Sequence, residues 1–247
     1  MRVPGRCRRY AEAVTVLRGL DTRLRLARLF CVTDARLGTG DLAEFAASVL
    51  DAGVDLIQLR DPSASDAQQL AALQVLRRAD RGRGLVSVYA DLALAQECGA
   101  DVLQLSKGGP EAATARSRLS RWSRVGRSCY TPADVDAALA DDAVDFLTVG
   151  PVFSAMPWSP GLPGLELVRH AARVAPPSAK GSKPWFAIGG IAADNFDQVL
   201  KAGARRVAIG RAITAAADPA AAARMFGDRL RAAWGDEFEA FTLDALL

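Results

Sequence analysis

The strongest chemical signal in the chain is Ala187-Ile188-Gly189-Gly190-Ile191, followed by Asn195, with Ile209-Gly210-Arg211 one unit later. Two glycines at a strand end let a ligand approach the backbone closely. Their N–H groups, joined by the N-terminus of a helix after Gly210, make an anion site. A phosphate monoester is the expected ligand; a pair of tight turns is the plain structural alternative. Other side chains able to hold a ligand stand at the ends of strand-like runs: Thr33, Asp34, Gln58, Arg60, Asp61, Tyr89, Lys107, Ser128 and Tyr130. Gly150-Pro151-Val152-Phe153 opens a long loop that closes at Pro160-Gly161-Leu162-Pro163-Gly164. A loop of that length reads as a lid or binding loop.

Several other chemistries are disfavoured. His170 is the sole histidine and falls in a helical pattern, so triads needing an imidazole base and zinc clusters are not expected. The cysteines at 7, 31, 98 and 129 form no Cys-x-x-Cys pair and read as free, structural thiols. Charge is nearly balanced: 31 basic against 28 acidic residues give +3, and lysine occurs only at 107, 180, 183 and 201. The arginines alternate with alanine along helical faces, which is solvated surface, so no nucleic-acid partner is expected. No apolar run approaches the roughly 18 residues of a membrane helix, so no membrane partner is expected either. Arg2, Arg6, Arg8, Arg9, Arg18, Arg23, Arg25 and Arg28 precede the first strand without the apolar core of a leader. A cytoplasmic protein is the expectation.

Hydrophobic spacing then supplies the elements. Of the 247 residues, 50% are hydrophobic and 24% charged. Short apolar runs predict strands at Leu29–Val32, Leu56–Leu59, Leu85–Tyr89, Val102–Leu105, Arg124–Ser128, Phe146–Val149, Trp185–Ile188 and Arg206–Ile209. Between them lie amphipathic helical patterns such as Leu42–Ala52 and Ala67–Arg78. Eight strands, each followed by a helix, predict one α/β domain, a (β/α)8 TIM barrel over residues 29–234. A doubly wound open sheet is the competing architecture. An internal echo, Gly53-Val54-Asp55-Leu56 and Gly99-Ala100-Asp101-Val102, with weaker copies at Asp142–Val149 and Ala202–Ile209, supports the barrel. Residues 1–28 read as a basic extension or extra helix. Residues 235–247 form a tail that packs back or pairs with another chain, leaving a homo-oligomer open.

From about Leu29 to Trp234 the chain resembles the thiamine-phosphate synthase family and its thiazole tautomerase relatives. The resemblance is carried by Val32-Thr33-Asp34, Gln58-Leu59-Arg60-Asp61, Gly99-Ala100-Asp101, Gly126-Arg127-Ser128, Val149-Gly150-Pro151-Val152-Phe153 and Ala187-Ile188-Gly189-Gly190-Ile191. Lys183-Pro184-Trp185-Phe186 and Arg211-Ala212-Ile213-Thr214 resemble the actinobacterial branch. The resemblance implies joining of hydroxymethylpyrimidine diphosphate to thiazole phosphate, with magnesium-assisted loss of pyrophosphate. Its partners are therefore small phosphorylated thiamine precursors. It implies Arg60 and Ser128 as catalytic residues. The residues expected to bind substrate are Gln58, Arg60, Ser128, Gly150, Gly189, Gly190, Gly210 and Arg211, with Lys107 added as a nearby cation that no motif places.

The chain departs from that family at the metal end. Val88 and Gly109 stand where the family places two magnesium-binding aspartates, and Pro62 and Trp158 where it places two lysines. Magnesium is thus the cofactor the family implies, but its ligands are missing, and no metal-binding residue is assigned. Lys107 and Arg127 are the cations nearest at hand to restore charge. Tyr130 replaces the tautomerase histidine, so that activity ranks last. The expectation is a synthase-like barrel whose coupling is impaired. The alternative is a non-catalytic binder of the same phosphorylated ligands, or a partner of an intact paralogue.

Overall fold

The computed structural model describes residues 19–153, 164–179 and 181–235. Arg2–Arg18, Cys7, residues 154–163 with Trp158, Lys180 and the tail after Gly235 lie outside the described residues. In chain order the elements are α1 (Leu20–Leu26), β1 (Leu29–Thr33), α2 (Leu42–Asp51), β2 (Leu56–Leu59), α3 (Asp66–Asp80) and β3 (Leu85–Tyr89). Next come α4 (Leu92–Glu97), β4 (Val102–Leu105), α5 (Ala112–Arg118), β5 (Arg124–Cys129), α6 (Pro132–Ala140) and β6 (Phe146–Val149). The chain continues with α7 (Gly164–Val174), β7 (Trp185–Ile188), α8 (Phe196–Lys201), β8 (Val207–Ile209), α9 (Arg211–Thr214) and α10 (Pro219–Trp234).

All eight strands are parallel and close in sequence order, with β8 pairing back to β1. The open-sheet alternative is excluded. Strand bounds agree with the sequence reading, except that β1 and β5 run on to Thr33 and Cys129 and β8 starts at Val207.

Strand side chains alternate between the barrel axis and the helix layer. Phe30, Leu56, Leu85, Val102, Phe146, Phe186 and Ala208 fill the axis as one apolar cluster. The Phe186 ring meets Phe30 and Phe146 edge-on, at centroid distances of 5.5 and 6.0 Å. Gly126 makes room for this layer, because a Cβ there would clash with the edge of the Phe146 ring. Leu24 of α1 and Ala27 join the same cluster from below. Part of the expected N-terminal extension is therefore a helix that closes the bottom of the barrel.

The internal echo has a structural cause. Asp55 donates its amide to Leu29 O and accepts the Leu29 N–H on its carboxylate at 3.0 Å. Asp101 does the same with Val86, at 2.9 Å, and Asp145 with Val125, at 2.7 Å. Each aspartate sits one residue before its strand and clips the start of the preceding strand. The fourth copy inverts the charge. Arg206, buried before β8, donates to Arg25 O at 2.9 Å and Ala27 O at 3.1 Å. Burial lowers its pKa to about 9.

Candidate functional site

The site follows from counting two residues up each strand from the apolar axis layer. From Leu56, Leu85, Val102 and Phe146 this gives Gln58, Ser87, Gln104 and Thr148; from Gly126 it gives Ser128. All five are buried polar side chains. They bond to each other: Gln58 Nε2 donates to Ser87 Oγ at 3.1 Å, and Gln104 Nε2 donates to Ser128 Oγ at 3.0 Å and to Thr148 Oγ1. One step further up stand Arg60, Tyr89 and Tyr130, at the rim. Together with Ile188 and Gly189, all of these groups except Ser87 line a cavity of about 240 Å³ at the C-terminal mouth, the face that carries active sites in this architecture.

Arg60 is the one charged side chain among the described residues lining that cavity. Its guanidinium carbon lies 4.8 Å over the Tyr89 ring. The Tyr130 hydroxyl faces those of Tyr89 and Ser128; burial, then the neighbouring Tyr89, raise its pKa against the opposing effect of Arg60. Cys129 is also in the wall, and burial pushes its thiol up to about 12.

The glycines have two jobs. Val152 N donates to Ile188 O and Phe153 N to Gly189 O, both at 2.9 Å, so the loop after β6 runs backbone-to-backbone against the end of β7. A Cβ at Gly189 (φ +105°) would strike Pro151, and one at Gly190 (φ +62°) would strike the Phe153 carbonyl. Part of the glycine signal is thus close packing. Gly150 likewise faces the Ile188 carbonyl, and its amide donates to Cys129 O at 3.1 Å. By contrast, the amides of Gly190 and Gly210 donate to no acceptor among the described residues, whereas the pairing of Ile188 with Ala208 turns the Gly189 amide toward β8. The helix after Gly210 is a single turn, so these loop amides, and not a helix dipole, are what an anion would meet.

Three expectations need correction. Lys107 does not line the mouth; its ammonium pairs with Asp134 at 2.9 Å beside a separate cavity of about 210 Å³ on the helix side of β5. The chain turns outward after Leu105, and the carboxylate that draws the lysine away also holds the Tyr130 and Thr131 amides at 2.9 Å. Arg127 points to the helix side and donates to Ser106 O and Pro110 O. Arg211 is exposed at the start of α9 and is not in the cavity wall. Gln58, Arg60, Ser128, Gly150 and Gly189 do come together at the mouth, whereas Gly190 and Gly210 stand at the ends of β7 and β8 outside its wall. Sequence reasoning did not single out Thr148 or Gln104 as site residues; the available signal was their step of two from Phe146 and Val102.

A magnesium ion does not fit these residues. Among the described residues no carboxylate lines the mouth and there is no cluster of three His, Cys, Asp or Glu, whereas this cation needs hard oxygen ligands. Val88 is buried in the helix-side core, Gly109 borders the second cavity, and the Asp91 carboxylate caps α4 by accepting the Leu94 amide at 2.8 Å.

Comparison with known proteins agrees with the motifs. Residues 29–213 match the family described as thiamine monophosphate synthase. Over 212 residues the chain is 44% identical to thiamine-phosphate synthase of Streptomyces avermitilis, covering 85% of this chain and 96% of that one. It is 45% identical over 222 residues to the protein of that name from Saccharopolyspora erythraea, covering 86% and 96%. Among solved structures, thiamine phosphate pyrophosphorylase from Pyrococcus furiosus superposes with a TM-score of 0.73 at 26% identity, covering 86% of this chain and 99% of that one. With the barrel, the mouth and these matches in hand, the chain belongs to the thiamine monophosphate synthase family.

Proposed function

We propose that the protein binds phosphorylated thiamine precursors at the barrel mouth, thiazole phosphate foremost, and that its magnesium-dependent coupling to hydroxymethylpyrimidine diphosphate is impaired. The observation that carries this reading is a mouth whose described wall holds the Arg60 guanidinium and no carboxylate anywhere. The amides of Gly190 and Gly210, at the C-terminal ends of β7 and β8, suit a phosphate monoester, which needs N–H donors and no metal. Arg60 orients the ligand, and Ser128, held by Gln104, offers a hydroxyl.

A departing pyrophosphate is different. It develops charge that the family offsets with a metal and lysines, each ~1.4 kcal/mol of lost stabilisation costing tenfold in rate. Here Arg60 stands alone among the described lining residues, and residues 154–163 carry no charged side chain. The test is calorimetric binding of thiazole phosphate, followed by a coupling assay with both substrates at millimolar magnesium. Binding with slow or absent turnover is the expected result. Turnover in the ordinary enzymatic span of about 1–10³ s⁻¹ overturns the impairment, and failure to bind thiazole phosphate overturns the ligand.

A further inference from the structure

We propose that Tyr89 and Tyr130 form an aromatic wall that receives a planar, uncharged heterocycle directly, without a divalent metal ion. This rests on the reading of the mouth as the ligand site given above, and it names what the rim selects.

The two tyrosines occupy rim positions two residues above Ser87 and Ser128, and both line the cavity. Tyr130 is 38% exposed, so part of its ring is open to a ligand. Arg60 lies over the Tyr89 ring, with its guanidinium carbon 4.8 Å from the ring centroid, and Tyr130 stands in the same wall with Tyr89 and Ser128. Such rings are ordered in advance and lose little freedom when a second ring stacks on them.

Charge decides which ring fits. Arg60 brings a fixed positive charge to the rim and no described carboxylate in the wall balances it. A cationic ring would meet like charge in a partly desolvated cavity. A diphosphate would bring several negative charges to one guanidinium, and the described residues offer no metal site to share them. A neutral ring meets neither penalty. The floor beneath is uncharged, made of Gln58, Gln104 and Thr148. A single phosphate monoester on that ring would then be left to the glycine amides at β7 and β8.

The experiment titrates thiazole phosphate, and separately the unphosphorylated thiazole alcohol, into the full chain in millimolar magnesium and in EDTA. Affinity should be the same in both buffers. Tyr130→Leu should weaken both compounds about tenfold, the scale of losing one stacking partner. Tyr130→Phe, which keeps the ring, should lose less than Tyr130→Leu does. Binding that appears only with magnesium, or that Tyr130→Leu leaves unchanged, overturns the aromatic wall while leaving the phosphate ligand in place. No binding of either compound in any buffer overturns the underlying reading as well.

Discussion

Val88 and Tyr89, adjacent on β3, face opposite sides of the barrel wall: Val88 is 2% exposed and packs in the helix-side core, while Tyr89 lines the mouth. The position that the sequence resemblance matches to a metal-binding aspartate therefore points away from the cavity. Val88→Asp should leave the protein unable to use magnesium and should destabilise it by about 3 kcal/mol or more, the cost of an unpaired buried charge. Adding Gly109→Asp should not rescue it, because that residue borders the other cavity and a Cβ there already sits 3.0 Å from Ser106 Oγ. Urea unfolding and a magnesium titration of coupling activity check both statements. Magnesium-dependent activity in the double variant would show that β3 rearranges around the metal.

Arg60→Ala should weaken thiazole phosphate binding by about 1.5–3 kcal/mol, the range for a charge-assisted hydrogen bond. The fold should be little affected, since the guanidinium sits at the rim over Tyr89 and not in the core. Calorimetry on a variant with an unchanged melting temperature decides it; equal affinity would make Arg60 a partner of Tyr89 alone.

Asp55→Ala should cost about 2–4 kcal/mol by leaving the Arg28 and Leu29 amides without the carboxylate they now share at 2.7 and 3.0 Å. Asp55→Asn, which keeps an acceptor oxygen, should recover part of that loss. Denaturant midpoints of the two variants measure the difference, and a smaller loss in Asp55→Ala than in Asp55→Asn would count against the clip.

Asp61 gives a pH dependence. The Ser63 hydroxyl at 2.6 Å, aided by the Ala35 and Ser63 amides, holds its carboxyl below the usual range despite opposing desolvation. A lowered folded-state value means the stabilisation is complete above the unfolded value of ~3.9 and is lost as pH falls through the folded one. Acid unfolding of Asp61→Asn should be less steep in that window. A carboxyl titration by NMR with a midpoint at or above the unfolded value would contradict the assignment.

Cys31 and Cys129 are buried, with thiols raised to about 12 by burial. Neither should react with an aromatic disulfide reagent at pH 8 in the folded protein, because thiolate is the reactive form. Both should react in denaturant. Rapid labelling of Cys129 in the native state would reveal an open mouth wall.

Much of this protein is legible in its one-dimensional pattern. Alternation of short apolar runs with amphipathic helices predicts eight strands and the barrel, because each strand must be buried on both faces and each helix on one. The step of two from Gln58 to Arg60 likewise predicts that both reach the mouth, since side-chain direction along a strand is a local property. The glycine motifs were legible only as motifs. That Gly189 and Gly190 also admit the Pro151–Phe153 backbone depends on how the ends of β6 and β7 approach, which no local spacing encodes. Lys107 and Arg127 look like free cations in the sequence. Tertiary packing decided otherwise, because Asp134 and the carbonyls of Ser106 and Pro110, distant in sequence or across a turn, lie closer to them than the mouth does. The opposite facing of Val88 and Tyr89 follows from alternation, but that β3 stays regular through Tyr89 was settled by its pairing with Gln104 of β4. Local periodicity determined which residues could share a face, and long-range packing decided which of them share a site.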